Sequence, residues 1–271
     1  MSPKPPRGRK RQRDAARTAA FRVLRAVSAD GAYANLELAR RRAGLAPADA
    51  GFATELVSGT CRALGTYDQI IERAAGRPVR SLQPAVVDAL RLGTHQLLAM
   101  RVPTHAALST TVDLAALEVG ERVTGLVNAV LRRVAERDWA GWLEVLGEGE
   151  DDLGRLALVH QHPRWVVEAW ARVLPAAELA DALAADNVAP VPNLVVRPGL
   201  AAVAELGGEP ARWSPYGAYR EGDPAALPAV ASGNDARRDL AGDEFAKPHA
   251  PLVATLAHVK AHARLAHDVD D

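Results

Sequence analysis

The sequence predicts a mainly α protein: a helical bundle followed by a small α+β region. Two observations carry this. Apolar residues recur at helical spacing in six successive segments between residues 14 and 138, joined by short loops. Beyond residue 153 the helical pattern is broken by prolines and then gives way to short apolar stretches that read as strands.

Residues 1–13, "MSPKPPRGRKRQR", have three prolines and no core-forming side chain, and predict a disordered basic arm. Asp14 suits an N-cap, after which Ala20, Phe21, Leu24 and Val27 form the stripe of a first helix. "GAYANLELARRRAG" reads as a short second helix ending at Gly44. A long third helix follows Pro47, with Phe52, Leu56, Val57, Cys61 and Leu64 on its apolar face and Ile70 and Ile71 further on. Pro84 suits the start of a fourth helix, where its missing N–H is no loss, and Val86, Val87, Leu90, Leu97 and Leu98 form its stripe. "THAALSTTVDLAALEVG" reads as a fifth helix with Thr104 as its cap. "ERVTGLVNAVLRRVAERD" reads as a sixth, with Val123, Leu126, Val127, Val130, Leu131 and Val134 on one face.

Residues 139–152, which include "GEGEDD", predict an acidic linker. Residues 153–230 predict the α+β region: helix from Leu153 to Asn187 with breaks at Pro163 and Pro175, a strand at "NLVVRPG", a short helix over Leu200–Leu206 and a weaker strand at "YGAYREGD". The tail, 231–271, has no clear period beyond one candidate helix carrying Leu252, Leu256 and Val259.

Composition narrows the function. The chain has 271 residues, is 48% hydrophobic and 24% charged, and holds a single cysteine, so no disulfide framework forms within it. No apolar run approaches a membrane span and no apolar region follows the basic N-terminus, so a cytoplasmic protein without a membrane partner is expected. Residues 1–25 hold nine basic side chains against one acid, Asp14, so the net charge of zero divides into +8 there and −8 over the remaining 246 residues. A basic arm on an acidic body points to a polyanion partner. Arginine outnumbers lysine 29 to 4 and alanine is abundant, a high-GC coding bias that weakens arginine richness as a functional sign.

Cys61 decides whether the chain carries a nucleophile. It lies four residues after Val57 and three before Leu64, on the apolar stripe and away from any helix N-terminus, with no histidine close in sequence. A reactive thiol needs a cation, a metal or a helix N-terminus to lower its pKa. Cys61 therefore reads as a small buried hydrophobe. Four of the eight histidines, His249, His258, His262 and His267, fall in the tail; no third ligand accompanies the i,i+4 pair His258 and His262, so no metal site is assigned.

The segments "DALRLGTHQLLAMRVPTHAALSTTVDLA" and "GLVNAVLRRV" resemble the NusB-like RNA-binding domain. With "HPRWVVEAWARVL" and "ADNVAPVPNLVVRPG" in the same order, the chain resembles, from about Asp14 to Val230, the N-terminal part of the bacterial 16S ribosomal RNA cytosine-C5 methyltransferases of the RsmB (Fmu/Sun) type. The resemblance implies RNA, and 16S ribosomal RNA in particular, as partner. It also implies an S-adenosylmethionine-dependent domain beginning soon after Val230, with a Gly-rich cofactor turn and two cysteines. There a thiolate would add to cytosine C6 so that C5 can attack the methyl group. No such turn and no cysteine follows Val230, so the cofactor is assigned to the full-length family and not to this chain, and the tail reads as a truncation with a shifted frame. Alternatives are a NusB-like transcription antitermination module and one chain of a split enzyme completed by a separate methyltransferase chain.

No catalytic residue is assigned. The RNA-binding candidates are Arg7, Arg9, Lys10, Arg11, Arg13 and Arg17, in or beside the arm and free to follow phosphates, and Asn128, Arg132 and Arg133 on the face of the sixth helix away from its apolar stripe. Aromatic side chains are few in the bundle, and Phe21 and Phe52 belong to stripes, so backbone and shape recognition is expected over base stacking.

Overall fold

The structure is a computed structural model that describes residues 11–188, 191–196, 202–221 and 227–228. Its described residues are mainly helical with one small sheet, the fold class that the sequence predicts. They divide into two compact units, one up to Asp186 and one from Asn187.

The first unit holds eleven helices. Helix α1 (Ala15–Asp30) starts at Asp14, whose carboxylate accepts the Arg17 N–H at 2.9 Å, and stops at Gly31, which takes the left-handed conformation that an L side chain resists. Helix α2 (Ala34–Arg42) buries only Leu38. The expected long third helix is two: α3 (Pro47–Arg62) ends at Ala63 and α4 (Leu64–Ala75) begins at once, so Leu64 opens a new element. Helix α5 (Pro84–Leu98) has proline in its first turn as expected. Helix α6 is Thr104–Glu118; Pro103 holds the cap position and Thr104 is already helical, with no side-chain cap bond. The sixth predicted helix opens with a 3-10 turn, Glu121–Val123, and continues as α7 (Thr124–Val134).

The segment expected as a linker instead carries a helix, α8 (Trp139–Leu146), whose Trp142 and Leu146 are buried in the main core. Apolar content outweighs the acidic run that follows it. Trp142 Nε1 donates to the Val134 carbonyl at 2.9 Å, which ties α8 to the end of α7. Helices α9 (Asp152–Val159), α10 (Arg164–Ala171) and α11 (Ala176–Asp186) pack round Ala157, Val167, Leu179 and Leu183. They fall in the first unit, not with the sheet as the sequence suggested.

The second unit is a three-stranded antiparallel sheet in the order β1 (Asn193–Val195), β3 (Gly217–Tyr219), β2 (Glu209–Pro210), with helix α12 (Val203–Leu206) beside it. Leu194, Val196, Leu206, Ala218 and Leu227 form its core. Strand β2 has no apolar alternation and was not legible in the sequence. The tail, with its four histidines, lies outside the described residues.

Helix α5 is the centre of the bundle: ten of its fifteen residues are buried, and α1, α3, α4, α6 and α7 all pack on it. Two glycines permit this closeness. A Cβ on Gly93 would stand 2.8 Å from both Leu131 methyls, and one on Gly59 would stand 2.2 Å from His95 Cε1. His95 shares a 2.8 Å hydrogen bond with the Tyr67 hydroxyl, and burial pulls its pKa down to about 4, so the ring is neutral at physiological pH. Cys61 is half-buried and packs against this core, and burial pushes its thiol up to about 11.

Two outcomes follow from this packing. Gly59→Ala should destabilise the fold by about 1–3 kcal/mol through overpacking against His95. In urea unfolding, His95→Ala in the same chain should offset part of that loss, so the two substitutions will be non-additive. Cys61 should react with a thiol reagent at pH 7 on the order of a hundredfold more slowly than an unstructured peptide thiol, because its thiolate fraction is that much smaller. Labelling at the peptide rate would contradict its place against the core.

Candidate nucleic-acid interface

A phosphate backbone is drawn to exposed cations that are not already neutralised. The partners of each arginine therefore matter more than its position in sequence. Arg7, Arg9 and Lys10 lie outside the described residues. The neighbouring candidates are not free. Arg11 donates from Nε and Nη2 to both carboxylate oxygens of Glu121, each at 2.7 Å, and from Nη1 to Asp113 at 2.7 Å. These bonds hold the Glu121 carboxyl below its usual range. Arg13 pairs with Glu118 at 2.9 Å, and Arg22 bonds the same carboxylate. Arg17 pairs with Asp14, donates to Gln96 Oε1 at 2.7 Å and lies 4.7 Å from the centre of the Phe52 ring. The expectation that Arg11, Arg13 and Arg17 are free is corrected: Arg11 and Arg13, just before α1, meet acids of α6 and the turn after it, and Arg17 meets Asp14 at the cap of its own helix.

Arg25 continues the pattern. It donates at 2.8 Å to Asp88, which is 1% exposed on α5, and Arg91 donates to the other oxygen at 2.9 Å while forking onto Asp68 at 2.7 and 2.6 Å. On α2, Arg40 and Arg41 share Glu37. Every arginine from Arg11 to Arg41 thus holds a carboxylate.

The α7 candidates differ. Arg132 is exposed and donates to Asn128 Oδ1 at 3.3 Å, so the expected i,i+4 pair is in contact. Arg133 is exposed and donates from Nη1 to the Ala74 carbonyl at 2.9 Å, satisfying an orphan acceptor at the end of α4. Among the described residues neither holds a carboxylate. The structure brings Arg133 to the end of α4, where sequence reading had marked nothing, and there Arg73, Arg77 and Arg80 are exposed. A sequence signal did exist: none of these three has an acid at i±3 or i±4. Of the aromatic side chains of the bundle, Phe21 and Tyr67 are buried, and Tyr33 is 65% exposed.

Among the described residues no cluster of three or more His, Cys, Asp or Glu side chains is placed to hold a metal ion, and no helix is long and apolar enough to cross a membrane.

Comparison with known proteins agrees with this architecture. The NusB family model matches residues 14–136. The chain is 46% identical over 244 residues to a putative methyltransferase of Mycobacterium tuberculosis, covering 86% of this chain and 53% of that protein. It is 31% identical over 186 residues to a probable ribosomal RNA small subunit methyltransferase B of Synechocystis, covering 68% of this chain and 41% of that protein. It thus spans about half the length, or less, of these curated relatives. The solved structure of PH0851 is similar in fold, with a TM-score of 0.59 at 14% identity, over 83% of this chain and 53% of that one. The chain is a NusB-like helical bundle followed by a small α+β region, similar over most of its length to ribosomal RNA small subunit methyltransferases.

Proposed function

We propose that this chain binds RNA, as the recognition portion of an S-adenosylmethionine-dependent ribosomal RNA cytosine-C5 methyltransferase. The observation that carries the reading is the similarity, which extends beyond the NusB-matched residues 14–136 to cover 86% of the chain. A bundle module working alone in antitermination would have no use for that second region. The exposed arginines without carboxylates at the α4 and α7 ends supply the electrostatics that RNA binding needs.

The part proposed is recognition and not methyl transfer. Cytosine C5 methylation needs a thiolate that can reach the base. Cys61, the one thiol, packs against the bundle core with its pKa raised to about 11. The methyl donor and the reacting thiols are assigned to residues outside this chain, in a longer polypeptide or a separate one.

Two measurements on the full chain test this. Fluorescence anisotropy with fragments of 16S ribosomal RNA should show binding that weakens steeply with salt. Titration calorimetry with S-adenosylmethionine should show no saturable heat, and a tritiated-methyl assay on the same RNA should show no transfer. Absence of RNA binding at low salt would contradict the recognition role; cofactor binding or transfer would contradict its separation from the chemistry.

A further inference from the structure

We propose that the phosphate-binding surface of this protein is the edge where the end of α4 meets the end of α7, carried by Arg73, Arg77, Arg80, Arg132, Arg133 and Arg137, and that the α1 arginines serve the fold. The proposal rests on the RNA-binding reading above and gives it a location.

The geometry joins the six. Arg73 stands in the last turn of α4, and Gly76, at φ 67°, turns the chain sharply into Arg77. The Val79 N–H donates to Glu72 Oε1 at 2.9 Å, which folds the 77–80 segment back beside that turn. Arg133 reaches across from α7 to the Ala74 carbonyl, next to Arg73. Arg137 follows one turn later, its guanidinium 5.4 Å from the centre of the buried Trp142 ring. Trp139 then packs edge-on against Tyr67 of α4, at 6.1 Å between centres, so the start of α8 returns to the same helix.

All six arginines are exposed, and among the described residues none pairs with a carboxylate. Three acids share the neighbourhood. Glu72 is held by the Val79 N–H and Asp138 accepts the Gly141 N–H as the cap of α8, while Glu136 is exposed. The edge is therefore net positive. Two of its arginines are also oriented. Arg133 gives one N–H to a carbonyl and keeps the rest of its fork, and Arg137 is steadied by the indole face. The C-terminal end of α4 carries the negative pole of its dipole, which favours cations there before any ligand arrives. Among the described residues Arg42, Arg62, Arg101 and Arg122 pair with no carboxylate either, but they are spread over α2, α3, the segment between α5 and α6, and the turn before α7.

Counterion release separates the two arginine groups. An exposed arginine that meets a phosphate releases condensed cations from the RNA without giving up a partner. An arginine such as Arg11 must first leave two carboxylates, which then need counterions of their own. The edge therefore sets the salt dependence, and the α1 arginines do not.

The test is fluorescence anisotropy of the full chain with fluorescein-labelled polyuridine across a salt series. In Arg73→Gln/Arg77→Gln the slope of log K against log[salt] should be shallower by about 1.4, two contacts at about 0.7 each on a single strand. Arg137→Gln should flatten it by about half as much. Arg42→Gln, on α2, which packs mainly on α1 and α3, should leave the slope unchanged. Circular-dichroism melts check that each variant folds as the parent does; these side chains are exposed. Parent binding with an unaltered slope in both edge variants would overturn the assignment of the surface alone. Failure of the parent to bind polyuridine or 16S RNA at low salt would overturn the RNA reading and the surface with it.

Discussion

The Asp88 carboxylate governs how the charges of this protein are distributed. It is buried on the central helix, and a buried charge must be matched by partners that complete its hydrogen bonds. Arg25 and Ser28 of α1 meet one oxygen, Arg91 meets the other, and Arg91 passes on to Asp68 of α4. Three helices are tied through one side chain. Removing a single partner of such a group costs about 3–5 kcal/mol, because the remaining charge is left buried without a mate. This constraint fixes α1 against α5 and with it the direction of every arginine on α1.

Once α1 is held there, Arg22 and the two arginines just before the helix fall opposite the acids of α6 and the turn after it. Arg13 and Arg22 converge on Glu118, and Arg11 is gripped by Glu121 and Asp113. The described part of the most basic stretch of sequence is thus close to neutral as a surface. Among the described residues, exposed arginines without a carboxylate partner gather instead at the ends of α4 and α7, in a chain whose total is zero. The proposed function follows from this redistribution: on that proposal an RNA strand meets charge where the fold leaves it unmatched.

The fold was largely legible in the sequence, because helix stripes such as Val127, Val130, Leu131 and Val134 repeat locally and the pattern itself states which face is buried. Caps were legible where the signal is a single residue, as with Asp14 and Pro84. The break at Ala63 was not, since apolar residues continue on both sides of it, and α8 was masked by the acidic run that follows. The site was much less legible. Arg11 and Glu121 are separated by 110 residues, and Arg133 and Ala74 by 59. Nothing in local pattern announces such pairs. Charge density along the chain pointed to the arm, and the tertiary pairing that neutralises Arg11 and Arg13 appears only when the segment before α1 is packed against α6 and the turn after it.

The central claim concerns which arginines meet RNA and which are bound by the protein itself, and chemical footprinting measures this directly. Phenylglyoxal modifies accessible guanidiniums, and mass spectrometry of the digested chain reports each site. Without RNA, Arg73, Arg77 and Arg137 should react readily while Arg11, Arg25 and Arg91 react slowly. With saturating 16S RNA fragment, the first three should become protected and the second three should not change. Continued reactivity of Arg73 and Arg77 in the complex, with new protection at Arg13, Arg17 or Arg22, would show that α1 carries the RNA and that the distribution of charge described here is not the one that functions.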